Sequence, residues 1–358
     1  MKTLNAAGPE VTRSTTSEGP ATAARGRKKH RNRPQWFGAS ALALFVACVL
    51  SMCIGGQPSS LEEVWHAVFT PTGTVMDVTI GELRWPRTVL GICAGICLGL
   101  AGTLVQGHTR NPVADPGLLG INQGAALAIV AATAMAGDLP PLTQALLAFG
   151  GALVASVLVF MIGSAARSGS TPVTLVLAGA AVTALCSGLV SGIVLLNDQA
   201  LDTLRFWQVG SLAGRAGVLE LVWPFVIAGV VLSVANIRAL NALALGSDSA
   251  VSLGISVLRA RAVGIGAVTL LAGTAVTLAG PIAFAGLLVP HLTRAVTGPD
   301  YRWLVPMSLF TGATVVLLAD TAGRLVARPG ELSVGVVLAV VGAPFFVYLA
   351  RRRRLATL

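Results

Sequence analysis

Residues 110–120 read RNPVADPGLLG, between two apolar runs at 89–105 and 121–136. The stretch carries Arg110, Asn111 and Asp115 together with Pro112 and Pro116. Two prolines so placed rule out a plain helical hairpin. Irregular backbone at membrane depth is tolerated only where protein or a water-filled cavity surrounds it. The segment therefore reads as the inner end of a pathway between two membrane helices. The competing reading is an ordinary turn, with Pro and Asn supplying turn chemistry.

The rest of the chain supports the membrane setting. Of 358 residues, 54% are hydrophobic and 11% charged, against roughly 25% charged in a soluble domain. A spanning helix needs about 20 apolar residues. Such runs occur near 36–54, 87–107, 117–137, 141–165, 173–195, 217–237, 259–280, 283–297, 302–320 and 332–350. They are too long and too uniformly apolar for a β-barrel. The fold class is thus an all-α polytopic membrane protein of about ten transmembrane helices. Residues 1–35 form a polar, then basic tail expected to be disordered, 36–350 the transmembrane domain, and 351–358 a basic C-terminus. The stretch 59–69, SSLEEVWHAVF, predicts a short surface helix with a serine cap. Residues 268–304, with Pro281, Pro290 and Pro299, predict short, broken helices.

A net charge of +10 first suggests nucleic acid. Its distribution points instead to topology, because basic residues crowd into the tail before Pro34 and into 351–354. An even number of spans places both termini on one side, and basic residues mark that side as cytoplasmic. Arg110, Arg167, Arg238, Arg259, Arg261, Arg294 and Arg302 then also fall inside. Arg84, Arg87, Arg205, Arg215, Arg324 and Arg328 fall outside and need a reason to be there.

Cys93 and Cys97 share a helical face, but no third ligand lies near in sequence, so packing is the reading preferred over a metal pair. Gly91, Gly95 and Gly99 recur every fourth residue and predict close helix approach. No G-x-x-x-x-G-K-[ST] string exists, so this chain cannot hydrolyse ATP by that route. No protease, esterase or Asp-rich signature is present, which leaves a membrane enzyme unsupported. RTVLGICAGICLGLAG (87–102) echoes RAVGIGAVTLLAGTAVTLAG (261–280) with opposite predicted direction, the pattern of an inverted repeat. Residues 238–261, RALNALALGSDSAVSLGISVLRAR, predict two short helices outside the bilayer, 239–245 and 249–253, a platform for a partner. Arg84, Arg87 and Arg324 sit at helix ends near the outer surface, suited to carboxylates on a partner or to local pairing with Asp320 and Glu82. A secondary transporter working alone would carry ionisable coupling residues inside spans, and almost none are seen. A non-transporting scaffold would leave 110–120 unexplained.

Several strings together, RWPRTVLGICAG, RNPVADPGLLGINQGAALA, ALALGSDSAVSLG, AGPIAFAGLLVPHLTR, LLADTAGRL and ELSVGVVLAVVGAPFF, run in order over 84–346. Through them the chain resembles the FecCD-type permeases, membrane subunits of ABC importers for ferric siderophores, haem and vitamin B12. The resemblance implies a type II ABC importer permease in a bacterial cytoplasmic membrane. It implies pairing with a second permease, the same chain or a sister subunit. It also implies two ATP-binding subunits, which hold ATP and Mg, and an extracytoplasmic substrate-binding protein. No cofactor, metal or catalytic residue is expected on this chain, and its partners are lipid and protein, not nucleic acid. By the same resemblance Ala244, Leu245, Gly246, Ser247, Asp248, Leu253 and Gly254 contact the ATPase. Arg84, Arg87 and Arg324 dock the binding protein. Arg110, Asn111, Pro112 and Val113 form the cytoplasmic gate, where the family often has Leu in place of Val113. The wording ADPGLLGIN leans toward a ferric siderophore over haem or vitamin B12.

Overall fold

A computed structural model describes residues 33–165 and 171–351. The basic tail before residue 33, Arg167 and residues 352–358 lie outside the described residues. Every regular element among those described is helical. We number the α-helices of six residues or more α1 (Arg33–Cys53), α2 (Leu61–Phe69), α3 (Trp85–Thr109), α4 (Ile121–Ala136), α5 (Pro141–Ala165), α6 (Pro172–Leu196) and α7 (Asp198–Gln208). They continue as α8 (Leu219–Ala235), α9 (Ile237–Ala244), α10 (Ser247–Ser252), α11 (Val257–Ala279), α12 (Ala285–Thr297), α13 (Tyr301–Val326) and α14 (Val334–Arg351).

Six helices, α1, α3, α5, α6, α11 and α13, are long and apolar enough to cross a membrane alone. Two shorter apolar helices, α4 and α14, a bent pair, α8 and α9 at 45°, and the short α12 complete the set. The ten apolar runs of the sequence thus each become a helix. Their starts are set by local chemistry. Ser60 and Glu63 form a capping box on α2, Thr171 caps α6 ahead of Pro172, and Asp300 caps α13.

Helix contacts define two poles. Arg33 at the start of α1 meets Asp300 at the start of α13, whereas Ser51 at the far end of α1 meets Arg324 at the far end of α13. His108, near the end of α3, meets Asn236, which also bonds Ala260 near the start of α11. A side chain at Gly91, near the start of α3, would meet Leu212, beside the end of α11. So α3 and α11 run antiparallel, as the two similar strings require. In each, 78% of the apolar window is buried, against 17% for α1. These two helices are the centre, and α1, α5 and α6 turn apolar faces outward. The described part of the chain begins and ends at the pole that carries 110–120 and 238–261.

Glycine makes the centre tight. A methyl group at Gly95 would strike the backbone of Gly312 and Ala313, and one at Gly102 the backbone of Gly286. The 91–95–99 stripe is therefore the seam where α3 meets α13, backbone to backbone at Gly95 and Gly99 and against the Leu317 side chain at Gly91. Cys97 is buried and Cys93 half-buried, both packed in the core.

Three features depart from the sequence reading. Residues 268–279 are not broken but belong to the 23-residue α11. The break falls at 280–284, where Gly280 and Phe284 adopt positive φ of 72° and 65°, and Pro290 lies within α12 without ending it. The platform helices are Ile237–Ala244 and Ser247–Ser252, each begun two residues earlier than expected. Finally, α7 and the π-type turn Thr79–Arg84 ahead of α3 have no counterpart in the sequence reading.

Candidate functional site

At one pole, α3 ends because Arg110 takes a left-handed conformation, φ 49°. The released Asn111 then organises the turn. Its side-chain oxygen accepts from the Val113 amide at 3.1 Å and its carbonyl accepts from Ala114 at 3.1 Å. Asp115 accepts from the Gly117 amide at 2.8 Å and caps a single 3-10 turn, Pro116–Leu119. Gly120, φ 71°, redirects the chain into α4. The loop packs inward: Ala114 is buried, Pro112 and Val113 are half-buried, and Pro116 lies over Gly286, where a Cβ would have no room. Burial pushes the Asp115 carboxyl above its ordinary range.

Beside this loop stand α9 and α10. Leu240 and Leu243 turn inward, and Ala242 and Ala250 pack with Ala260 of α11. The opposite face is open. Ala244, Leu245, Asp248, Leu253 and Gly254 are exposed, Leu245 at 69%. Gly246 (φ 123°) and Gly254 (φ 79°) hold backbone angles that only glycine adopts easily. Arg110 donates to the hydroxyl of Ser247 at 3.4 Å. The 110–113 turn and the 244–254 platform, separate in sequence, are thus neighbours.

At the other pole, α1 ends with carbonyls that have no helical partner. Two arginines cover them. Arg84 donates to the Met52 carbonyl at 2.7 Å, the Ser59 hydroxyl at 2.7 Å and the Gln57 carbonyl. Arg324 donates to the carbonyls of Ser51 at 2.9 Å and Ile54 at 2.7 Å, and pairs with Asp320 at 3.0 Å. Both guanidiniums are buried, Arg324 at 2% exposure. Arg87 binds the other side of Asp320 at 2.8 Å and also Glu331 at 2.6 Å. Of the two local partners named from sequence, Asp320 takes Arg87 and Arg324, while Arg84 bonds backbone and Ser59 in place of Glu82. A cavity of about 780 Å³ opens here, walled by Gly55, Arg84, Arg87, Arg215, Arg324 and Glu331.

Sequence reasoning missed Glu331, Ser51 and the α1 carbonyls as partners of these arginines, and Asn241 and Asp300 at the opposite pole. Only Asp300 left a signal, as a helix cap before Tyr301.

A family model described as the FecCD transport family matches residues 43–352. The chain belongs to that family. Relatives in it include the ferric enterobactin transport system permease protein FepD of Escherichia coli (strain K12), 46% identical over 87% of this chain and 93% of that protein. The iron(3+)-hydroxamate import system permease protein FhuB of Bacillus subtilis (strain 168) is 39% identical over 87% of this chain and 81% of its own. Among solved structures, a metal-chelate type ABC transporter in an inward-facing conformation superposes with a TM-score of 0.76 at 25% identity. The match covers 89% of this chain and 99% of that one. This FecCD chain is therefore a multi-pass transport subunit with the permease fold of ABC transporters.

Proposed function

We propose that this FecCD permease carries a ferric siderophore across a bacterial cytoplasmic membrane. It would work with a second permease, two ATP-binding subunits and an extracytoplasmic binding protein. ATP and Mg reside on the ATP-binding subunits, and both termini of this chain face the cytoplasm. The observation that carries the reading is the exposed 244–254 platform in hydrogen-bond contact with the 110–113 turn. A surface built to touch another protein adjoins a segment built to rearrange, so movement of the partner reaches the turn directly. The names of the relatives, enterobactin and hydroxamate permeases, favour an iron chelate as cargo.

The outer cavity is the docking surface for the binding protein in this reading. Arg84 and Arg324 are committed to the α1 carbonyls and to Asp320, so they shape the surface. Arg87 is likewise held by Asp320 and Glu331, so positive charge toward acidic groups on the partner comes from Arg84 and Arg215, whose hydrogen bonds go to uncharged oxygens. A stand-alone secondary transporter would need free ionisable groups in its spans. Asp320 is shared between two arginines at the end of α13 and does not meet that need.

Uptake of iron-labelled catecholate siderophore by cells lacking and then regaining this chain tests the proposal. Uptake restored by the chain and abolished by Asp248→Trp, with normal membrane levels, supports it. Full uptake in cells lacking the ATP-binding subunits would contradict it.

A further inference from the structure

Asn241 lies on the inward side of α9, one turn from the exposed platform. Its side-chain amide is used at both ends. The nitrogen donates to the Asp300 carboxylate at 3.0 Å, and the oxygen accepts from the Tyr301 backbone amide at 3.0 Å. An ionised carboxylate can only accept and a backbone N–H can only donate, so the amide has one possible orientation. Asp300 is itself shared. It caps α13 by accepting from the Arg302 amide at 3.0 Å, and it pairs with Arg33 at the start of α1 at 3.6 Å. Tyr301, which follows, is buried against α3, where a side chain at Gly107 would meet its ring.

The helix so attached is long. α13 has 26 residues, about 39 Å at 1.5 Å per residue. It packs backbone to backbone on α3 at Gly312 and Gly95, and its far end carries Asp320 and Arg324 into the opposite pole. We propose that Asn241 and Asp300 form the joint through which the 237–254 platform moves α13, with α13 carrying that movement as a strut to Asp320 and Arg324. The idea rests on the platform being the ATPase contact. Asn241 is a positioning residue: it touches neither cargo nor ATPase. Two hydrogen bonds to adjacent groups resist rotation as well as separation, which a single bond would not do. A displaced platform therefore draws the start of α13 with it instead of sliding past.

The test uses the whole importer in proteoliposomes, reading ATP hydrolysed per ferric chelate transported. Asn241→Ala removes both bonds, and Asn241→Asp sets two carboxylates against each other. The swap Asn241→Asp with Asp300→Asn restores one donor and one acceptor across the pair. Both single variants should assemble with the ATPase normally, yet hydrolyse roughly tenfold more ATP per chelate moved. The swap should return to within about threefold of the parent, a non-additivity expected only of groups in contact. Parental coupling in both singles overturns the proposal, as does a swap no better than Asn241→Asp alone. Loss of the ATPase from the Asn241→Ala complex would also overturn it, making Asn241 part of the docking surface. Failure of both singles to accumulate would make the pair purely structural and would overturn the proposal too. Leu253→Asp in the same preparation separates the layers. If it leaves ATPase binding and uptake intact, the platform reading itself fails.

Discussion

Arg324 joins four groups that lie far apart in the chain: Asp320, Thr321 and, more than 250 residues earlier, Ser51 and Ile54. Removing it uncovers the Ser51 and Ile54 carbonyls and leaves Asp320 with Arg87 alone. Breaking a buried pair from one side costs about 3–5 kcal/mol. Arg324→Ala should therefore lower the unfolding temperature in detergent by several degrees, whereas an exposed arginine such as Arg205 can be replaced without loss. Asp115 offers a pH test. Burial raises its carboxyl pKa in the folded state, so its stabilising contribution is full below the unfolded value and is lost as pH rises through the folded one. Asp115→Asn keeps the acceptor for Gly117 and has no proton to lose. The variant should gain unfolding temperature over the parent at pH 7 and show a smaller gain at pH 4. An equal difference at both values would contradict the assignment.

Among elements, what could be read from sequence was what is written locally. The apolar runs became helices, the two prolines of 110–120 broke the chain where they stood, and the 91–95–99 glycines marked a seam. α7 was missed because eleven amphipathic residues ending an apolar run resemble a polar loop. Glu331, Ser51 and the α1 carbonyls were missed as partners of the outer arginines for a different reason. Arg87 and Glu331 lie 244 positions apart, and only the fold brings them together. The 110–113 turn and the 244–254 platform were each legible as polar interruptions, but their contact through Arg110 and Ser247 was not. The seam itself is testable. Gly95→Ala drives a methyl into the Gly312 carbonyl, while Gly150→Ala meets nothing within 4 Å. The first should reduce folded protein in the membrane severalfold. The second should be neutral or stabilising by up to about 1 kcal/mol. Both are read by the fluorescent size-exclusion profile of tagged protein.

For the whole molecule, the arrangement divides labour between poles. One pole holds a lattice of charge that fixes α1, α3 and α13 to one another. The other holds a turn and a platform whose outer faces, Leu245, Val251 and Leu253, are exposed and apolar without being in the apolar helices that face lipid. Such a surface is costly in water and is best explained by a protein that covers it. Leu245→Asp with Leu253→Asp should leave the fold intact, since neither side chain packs inside, and should remove the covering protein. The most direct measurement is to tag the chain, purify it gently from native membranes and identify what accompanies it. An ATP-binding subunit in roughly equal amount, lost in the double aspartate variant, is the expected result. A chain that purifies alone and still moves ferric siderophore down an ion gradient would contradict the ATP-driven reading.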